Sequence, residues 1–189
     1  MAGRVDDAPV MLHKTVVLVG MMGAGKTAVG RTLAAQLGVG FHDSDHEIES
    51  AANLSVAEIF SRYGEAFFRA REHDFLKRLL EGAPGILSTG GGAFMSAQNR
   101  EMISELGVSV WIDANVDLLW ERVRHKTTRP LLQTDDPYGT LKALHEARVG
   151  IYAKADLRVV SEAGLSLEHM AQKTARALLE ARPDILEGL

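Results

Sequence analysis

Residues 20–27, GMMGAGKT, set glycines around one lysine and one threonine in the spacing G-x-x-x-x-G-K-T. Glycines let backbone N–H groups converge on an anion, because no side chains stand in the way. Lys26 can neutralise the β- and γ-phosphates of a nucleotide, and the Thr27 hydroxyl can take a position on Mg²⁺. The motif therefore predicts a nucleoside triphosphate site rather than a glycine-rich turn with an incidental lysine.

Acidic residues follow the next apolar segment of the chain. Asp43 and Asp45 would face the same side of an extended strand. One carboxylate could hold Mg²⁺ through water while the other takes a proton from an attacking hydroxyl. A turn that caps a helix near His46 explains the same residues equally well. Asp113, which ends the apolar segment VSVWID, is a second candidate for the metal, and the sequence does not rank it below Asp43.

Other glycines and three arginines are candidates for binding an acceptor. The run Gly90–Gly92 ends a predicted strand, so its N–H groups could form an anion-binding nest, although a packing turn fits as well. Arg69 lies in FFRARE, Arg129 in TTRPLL and Arg148 in EARVGIY. A solvated guanidinium is the alternative for each arginine. Taken singly, these residues leave the acceptor open.

The elements that must position these residues alternate along the chain. TVVLVG (15–20) is apolar and rich in β-branched residues, as in a strand buried on both faces of a parallel sheet. The following helix runs from Lys26 to Leu37 and ends at Gly38. Four more strands are predicted in VGFHDSD, GILSTGGG, VSVWID and LRVVS. Further helices are predicted at 46–81 in two or three pieces, near 96–106, at 116–124, up to about 154 and at 166–182.

This alternation predicts an α/β fold, with a five-stranded parallel sheet between two layers of helices. Ligands in such folds bind at the carboxyl ends of the strands. The glycine loop, the paired acids and the triple glycine all end strands, so we expect them to meet at one edge. Residues 125–139, HKTTRPLLQTDDPYG, are polar and lack a period, which indicates a loop.

Length and composition limit the function classes. The 189 residues predict a single domain at 15–189 that follows a flexible extension at 1–14. The chain has no cysteine, export signal or membrane-length apolar run, so we expect a cytoplasmic protein. A net charge of −4 without blocks of like charge argues against nucleic acid as a partner. The guanine-reading motif Asn-Lys-x-Asp and the transporter motif Ser-Gly-Gly are both absent, which disfavours GTPases and transport ATPases.

Together these motifs resemble the shikimate kinase family. GMMGAGKT, DSD, FFR after YGEA, GGG, RPLL and RVGIY occur in the family's order and separation, from about Thr15 to Ser161. The resemblance implies a nucleoside-monophosphate-kinase-like P-loop fold and transfer of the ATP γ-phosphate to the 3-hydroxyl of shikimate, with Mg²⁺ as cofactor. Gly150 departs from the family, which often has proline at this position.

The resemblance also implies which residues form the site. For ATP it implies Gly23, Ala24, Gly25, Lys26, Thr27, Ala28, Arg122 and Arg129. For shikimate it implies Asp45, Arg69, Gly90, Gly91, Gly92 and Arg148, with the two arginines pairing with the carboxylate. For Mg²⁺ it implies Thr27 directly, and Asp43 and Ser88 through water. The implied catalytic residues are Lys26, Asp45 as the base, and Arg129, which would move with residues 125–139 as a lid.

Two other functions would share some of these features. A related small-molecule kinase, such as one acting on gluconate, would share the phosphate loop and the lid, but the triple glycine and FFR speak against it. A nucleotide-binding regulatory protein without transfer activity is the second, and the presence of Lys26, Asp45, Arg69 and Arg129 argues against it. We expect a monomer that binds two small molecules and no membrane.

Overall fold

The computed structural model describes residues 10–126 and 130–188, and within these ranges the chain forms seven strands and eight α-helices. The strands are β1 Met11–Leu12, β2 Thr15–Val19, β3 Gly40–Asp43, β4 Gly85–Ser88, β5 Gly107–Asp113, β6 Leu157–Val160 and β7 Leu186–Glu187. The helices are α1 Lys26–Leu37, α2 Ser44–Ala52, α3 Val56–Tyr63, α4 Glu65–Leu80, α5 Ala97–Leu106, α6 Val116–Val123, α7 Pro137–Tyr152 and α8 Leu167–Ala181. No helix in the described part of the chain is both long and apolar enough to span a bilayer.

The central sheet contains five parallel strands in the order β3-β4-β2-β5-β6, flanked by helices. Strand β2 lies in the middle and is buried along its whole length, in agreement with its apolar sequence after Thr15. The carboxyl ends of these strands meet at one edge, where Asp43 pairs in register with Ser88. The predicted five-stranded α/β fold is therefore confirmed.

Two clusters of apolar side chains hold the helices in place. The larger one joins the sheet to its flanking helices, and α1 packs on α8 while α4 packs on α5. A smaller one consists of Ile48, Ile59 and Phe68, which come from α2, α3 and α4. The second cluster fixes these three helices as a unit beside the sheet, and this unit carries both Asp45 and Arg69.

The structure corrects the prediction for the paired acids. Strand β3 ends at Asp43, and Asp45 lies in the first turn of α2 instead of on an extended chain. Asp43 is the N-cap of this helix, because its Oδ1 accepts a hydrogen bond from the backbone N–H of His46 at 3.2 Å. The expectation that the two side chains share one face of a strand was wrong, and the helix-capping alternative describes the backbone.

The loop predicted at 125–139 is also shorter than expected at its far end. Helix α7 begins at Pro137, and Asp136 caps it by accepting from the backbone N–H of Gly139 at 2.9 Å. Proline suits the first helical turn because its missing N–H would have no partner there. The polar composition of this stretch concealed the helix start.

The chain ends contain a strand pair that the sequence did not indicate. Strand β1 pairs antiparallel with β7, and His13 N–H donates to the carbonyl of Ile185 at 2.8 Å. Ile185 and Leu186 are fully buried in the large cluster. Residues 10–14 of the predicted extension therefore contact the domain, whereas residues 1–9 lie outside the described part of the chain.

Candidate active site

The phosphate loop joins β2 to α1 and has three positions whose backbone conformation favours glycine. Gly20, Gly23 and Gly25 all have positive φ angles, of 143°, 80° and 95°. A Cβ on Gly20 would lie 2.7 Å from the carbonyl oxygen of Ile112, and one on Gly23 would lie 2.6 Å from Cγ1 of Val123. Gly25 is the N-cap of α1 and has no side chain to occupy the first N–H groups of the helix. These groups therefore remain available for an anion.

Lys26 is the buried cation of this loop. Lys26 is only 8% exposed, and its Nζ donates to the carbonyl oxygens of Gly20 and Met21, both at 2.9 Å. These contacts hold the ammonium group beside the loop backbone rather than in solvent. Its charge is thus positioned where the loop N–H groups gather.

Oxygen atoms from three elements meet beside Lys26. The Thr27 hydroxyl donates to Asp43 Oδ2 at 2.8 Å, and its oxygen lies 3.2 Å from Ser88 Oγ. Hydroxyl and carboxylate oxygens are the donors that Mg²⁺ prefers, and this ion usually keeps several waters. The described residues contain no group of three or more acidic, histidine or cysteine side chains that could enclose a metal. The oxygens of Thr27, Asp43 and Ser88 match the ligand preference of Mg²⁺.

Asp113, the other candidate for the metal, has a different partner. Arg158 Nε and Nη2 donate to Asp113 Oδ2 at 2.9 and 2.6 Å. The same guanidinium lies 5.1 Å from the ring centroid of Trp111. Asp43 rather than Asp113 contacts Thr27, so the geometry favours Asp43 for positioning a metal.

Asp45 lies at the same edge, with an altered acidity. Its pKa is raised above the usual value, first because burial disfavours the charged form and second because Asp43 is close. The positive charges of Lys26 and Arg69 act in the opposite direction. A carboxylate with a raised pKa is a better proton acceptor, as a general base requires.

The triple glycine provides space for three charged side chains. A Cβ on Gly90 would lie 2.7 and 2.8 Å from the carboxylate oxygens of Asp45, and one on Gly92 would lie 2.7 Å from Cζ of Arg69. A Cβ on Gly91 would lie 3.3 Å from Nη1 of Arg148. None of these glycines has positive φ, and the Gly90 N–H donates to Ser44 Oγ at 3.4 Å. Close approach of these side chains therefore accounts for glycine at the three positions.

Arg69 is held between two glutamates and two aromatic rings. Its Nη1 donates to Glu72 Oε2 at 2.8 Å, while Nε and Nη2 lie 3.4 and 3.5 Å from Glu65 Oε1. The guanidinium carbon is 5.9 Å from the ring centroid of Phe60 and 5.2 Å from that of Phe68. Glu72 is 1% exposed, and burial raises its pKa although Arg69 lowers it. Arg69 is thus ordered before any ligand arrives.

Two cavities adjoin along this edge. One of about 470 Å³ is lined by the phosphate loop together with Asp43, Asp45, Gly90, Gly91 and Arg122. The other, of about 600 Å³, is lined by residues that include Arg69, Arg148 and Gly92. Because Gly91 and Gly92 are consecutive, the cavities meet at the triple glycine. The first, the nucleotide cavity, can hold a nucleotide, and the second, the acceptor cavity, can hold an acceptor.

Two further residues were implied to bind ATP. Arg122 lines the nucleotide cavity, where its Nη1 donates to the carbonyls of Gly23 and Ala24 at 3.2 and 3.0 Å and its Nη2 to Ser161 Oγ at 3.2 Å. Burial lowers the pKa of this arginine. Arg129 lies outside the described residues.

The structure adds residues that the motifs did not reveal. Glu65 and Glu72 contact Arg69, and the buried Tyr152 donates to the Gly91 carbonyl at 2.6 Å. His73 Nδ1 lies 2.7 Å from Oδ1 of the buried Asn99, and both residues line the acceptor cavity. Glu65 lies four residues before Arg69 and Glu72 three residues after it, and these two spacings were the signals of ion pairs available in the sequence.

The phosphate loop follows the central strand of a parallel sheet, an oxygen cluster lies beside its lysine, and a second cavity contains Arg69 and Arg148. Together these features define a P-loop kinase of small molecules. A family model described as shikimate kinase matches residues 22–179. The chain belongs to the shikimate kinase family.

Individual relatives agree with this assignment. Shikimate kinase of Ruegeria pomeroyi is 62% identical over 186 residues, covering 98% of this chain and 95% of the relative. A solved structure of shikimate kinase from Acinetobacter baumannii in complex with shikimate is similar with a TM-score of 0.84 and 38% identity, covering 89% of this chain and 94% of that one. A gluconokinase from Sinorhizobium meliloti, at 14% identity and a TM-score of 0.55 with 90% and 94% covered, shares the fold alone.

Proposed function

We propose that this protein is a shikimate kinase, which transfers the γ-phosphate of ATP to the 3-hydroxyl of shikimate and releases ADP and shikimate 3-phosphate. One observation carries the proposal. The triple glycine brings Asp45, Arg69 and Arg148 to the junction of the nucleotide cavity with a second cavity. A base next to the phosphate loop and two arginines further away match a small acid with a reactive hydroxyl at one end.

In the proposed complex the acceptor carboxylate pairs with Arg69 and Arg148. A guanidinium offers two parallel N–H groups to a planar carboxylate, which gives both charge and orientation. Asp45 accepts hydrogen bonds from the ring hydroxyls and takes the proton from the attacking 3-hydroxyl. Its raised pKa supports this role, because it makes the carboxylate a stronger base.

At the nucleotide end, the proposed ligands of ATP are the loop residues and Arg122, together with Arg129. The transition state of phosphoryl transfer is loose and spreads charge over the equatorial oxygens. Lys26 is buried beside the loop carbonyls and would stabilise that charge without reorganising. We also propose that Arg129 contributes charge from residues 125–139, which would close over the site and exclude water.

The proposed metal is Mg²⁺, held by Thr27 directly and by Asp43 and Ser88 through water. When bound, the ion would supply positive charge that offsets the negative charge of the phosphates. The three protein oxygens already lie together, since the Thr27 hydroxyl contacts both Asp43 and Ser88.

The proposed compartment is the cytoplasm, because the reaction draws on ATP.

The similarity to relatives supports this acceptor over the alternatives. The shikimate kinase from A. baumannii was solved in complex with shikimate and is 38% identical to this chain, whereas the gluconokinase is only 14% identical. A regulatory protein without transfer activity would have no need for a buried carboxylate of raised pKa beside the phosphate loop, and Asp45 is such a group.

The test is acceptor binding and turnover. Calorimetric titration in the presence of ADP should detect shikimate binding and no comparable binding of gluconate, and a coupled ADP-release assay should show turnover that depends on shikimate. Arg69→Ala should raise the KM for shikimate far more than the KM for ATP, because its charge lies in the acceptor cavity. Equal turnover with gluconate, or a larger effect on ATP, would contradict the proposal.

A further inference from the structure

Arg69 presents two different edges of its guanidinium to the two glutamates. Nη1 faces Glu72 at 2.8 Å, on the buried side of α4. The opposite edge, formed by Nε and Nη2, faces a single oxygen of Glu65 at 3.4 and 3.5 Å. These two N–H groups are parallel and form one of the edges with which arginine binds a carboxylate in bidentate fashion. Glu65 therefore lies across an edge suited to a carboxylate ligand.

The two contacts differ in strength. The Glu72 side chain is 1% exposed and its bond to Arg69 is short, so it is a permanent anchor. The Glu65 side chain is 65% exposed, shares one oxygen between two donors and lies at the limit of hydrogen-bond distance. An exposed ion pair of this kind contributes little stability because water screens it. Glu65 can be displaced at low cost.

The surroundings of Glu65 allow this displacement. Glu65 and Arg69 both line the cavity of about 600 Å³. Glu65 is the first residue of α4 and follows Gly64, which has φ 83° and no atom within 4 Å of the position of a Cβ. The carboxylate can thus rotate away without meeting the packed core. Its negative charge also lines the cavity that an anion would enter beside Arg69.

We propose that Glu65 occupies the Nε/Nη2 edge of Arg69 in the unliganded protein and competes with the acceptor carboxylate for it. This inference rests on the proposed function, in which Arg69 binds that carboxylate. Each binding event then exchanges a long contact to one Glu65 oxygen for a bidentate pair with the ligand. Glu65 is accordingly an affinity-setting residue that lowers the occupancy of the acceptor site.

The test is the variant Glu65→Gln, measured by calorimetry with ADP present and by steady-state kinetics. Removing the charge removes both the competitor and a like charge beside the ligand. The Kd and KM for shikimate should fall about two- to five-fold, the range expected for losing one exposed ion pair. The KM for ATP should not change. The matched control is Glu81→Gln at the C-cap of α4, which removes the same charge from an exposed pair with Lys77 and should leave both KM values unchanged.

Shikimate methyl ester separates competition for Arg69 from a change in pocket shape. The ester has no carboxylate, so Glu65→Gln should leave its affinity unchanged while that of shikimate rises. Equal tightening of both compounds, or a shikimate Kd that stays the same or rises, overturns the inference. In an Arg69→Ala background the effect of Glu65→Gln should disappear, and its persistence would likewise overturn it. If Arg69→Ala alone leaves the shikimate Kd unaltered, the role of Arg69 in the proposed function fails first.

Discussion

Replacing Gly92 by alanine would place a methyl group against the guanidinium of Arg69. The ideal Cβ would come closest to Nη2 of Arg69 and would lie 2.7 Å from both Cζ and Nη1, whereas unstrained contacts between such atoms are about 3.5–4.0 Å. The guanidinium would therefore have to retreat by about 1 Å. Gly92 has φ −91° and ψ −17°, which alanine adopts without strain. The perturbation thus acts on Arg69 and not on the backbone.

A retreat of this size would disrupt both contacts on which acceptor binding depends. The bond from Nη1 to Glu72, now 2.8 Å, would be stretched or redirected, and the opposite edge would no longer face the ligand carboxylate in its productive position. Hydrogen bonds to charged groups contribute about 1.5–3 kcal/mol each. Losing one of them to the acceptor corresponds to a rise of about 10- to 150-fold in the KM for shikimate.

The assay is coupled ADP release, with shikimate and ATP varied in turn. We expect the KM for shikimate to rise by this factor while the KM for ATP changes less than about two-fold, because the phosphate loop is untouched. Gly150→Ala is the control. Gly150 lies on the same helix as Arg148, and a Cβ at this position would meet no atom within 4 Å. It should leave both KM values unchanged and stabilise the protein by about 0.5–1 kcal/mol. An unchanged shikimate KM in Gly92→Ala, or an equal rise for ATP, would refute the reasoning.

Two further substitutions test the base and the metal corner. Asp45→Asn should lower turnover about 100-fold or more. The folded-state pKa of Asp45 is raised, so its ionised form opposes folding at neutral pH; this cost shrinks as pH falls below the folded-state pKa and is gone below the unfolded-state pKa. The variant should therefore melt at a higher temperature at pH 7 but not at acidic pH, and a lower melting temperature at pH 7 would contradict this. Thr27→Val should raise the Mg²⁺ concentration needed for half-maximal turnover at least several-fold, whereas Thr27→Ser should not, because only valine removes the hydroxyl that contacts Asp43. Identical Mg²⁺ titrations for both variants would exclude Thr27 from the metal site.

The sequence by itself determined the framework, because those signals are local. Five runs of apolar residues predicted five parallel strands, and the spacing of Gly20, Gly25 and Lys26 predicted the phosphate loop, since positive φ angles require glycine wherever the loop forms. The family was also predictable, because its motifs occur in order along the chain.

Only the tertiary structure decided how the second cavity is built. The sequence did not show that Gly90 makes room for Asp45 and Gly92 for Arg69, since these partners are more than twenty residues apart and meet through the packing of α2 and α4 beside the sheet. It likewise did not show that Asp113 pairs with Arg158. Strand pattern and turn chemistry depend on neighbours along the chain, whereas the partners of a charged side chain depend on which elements pack together.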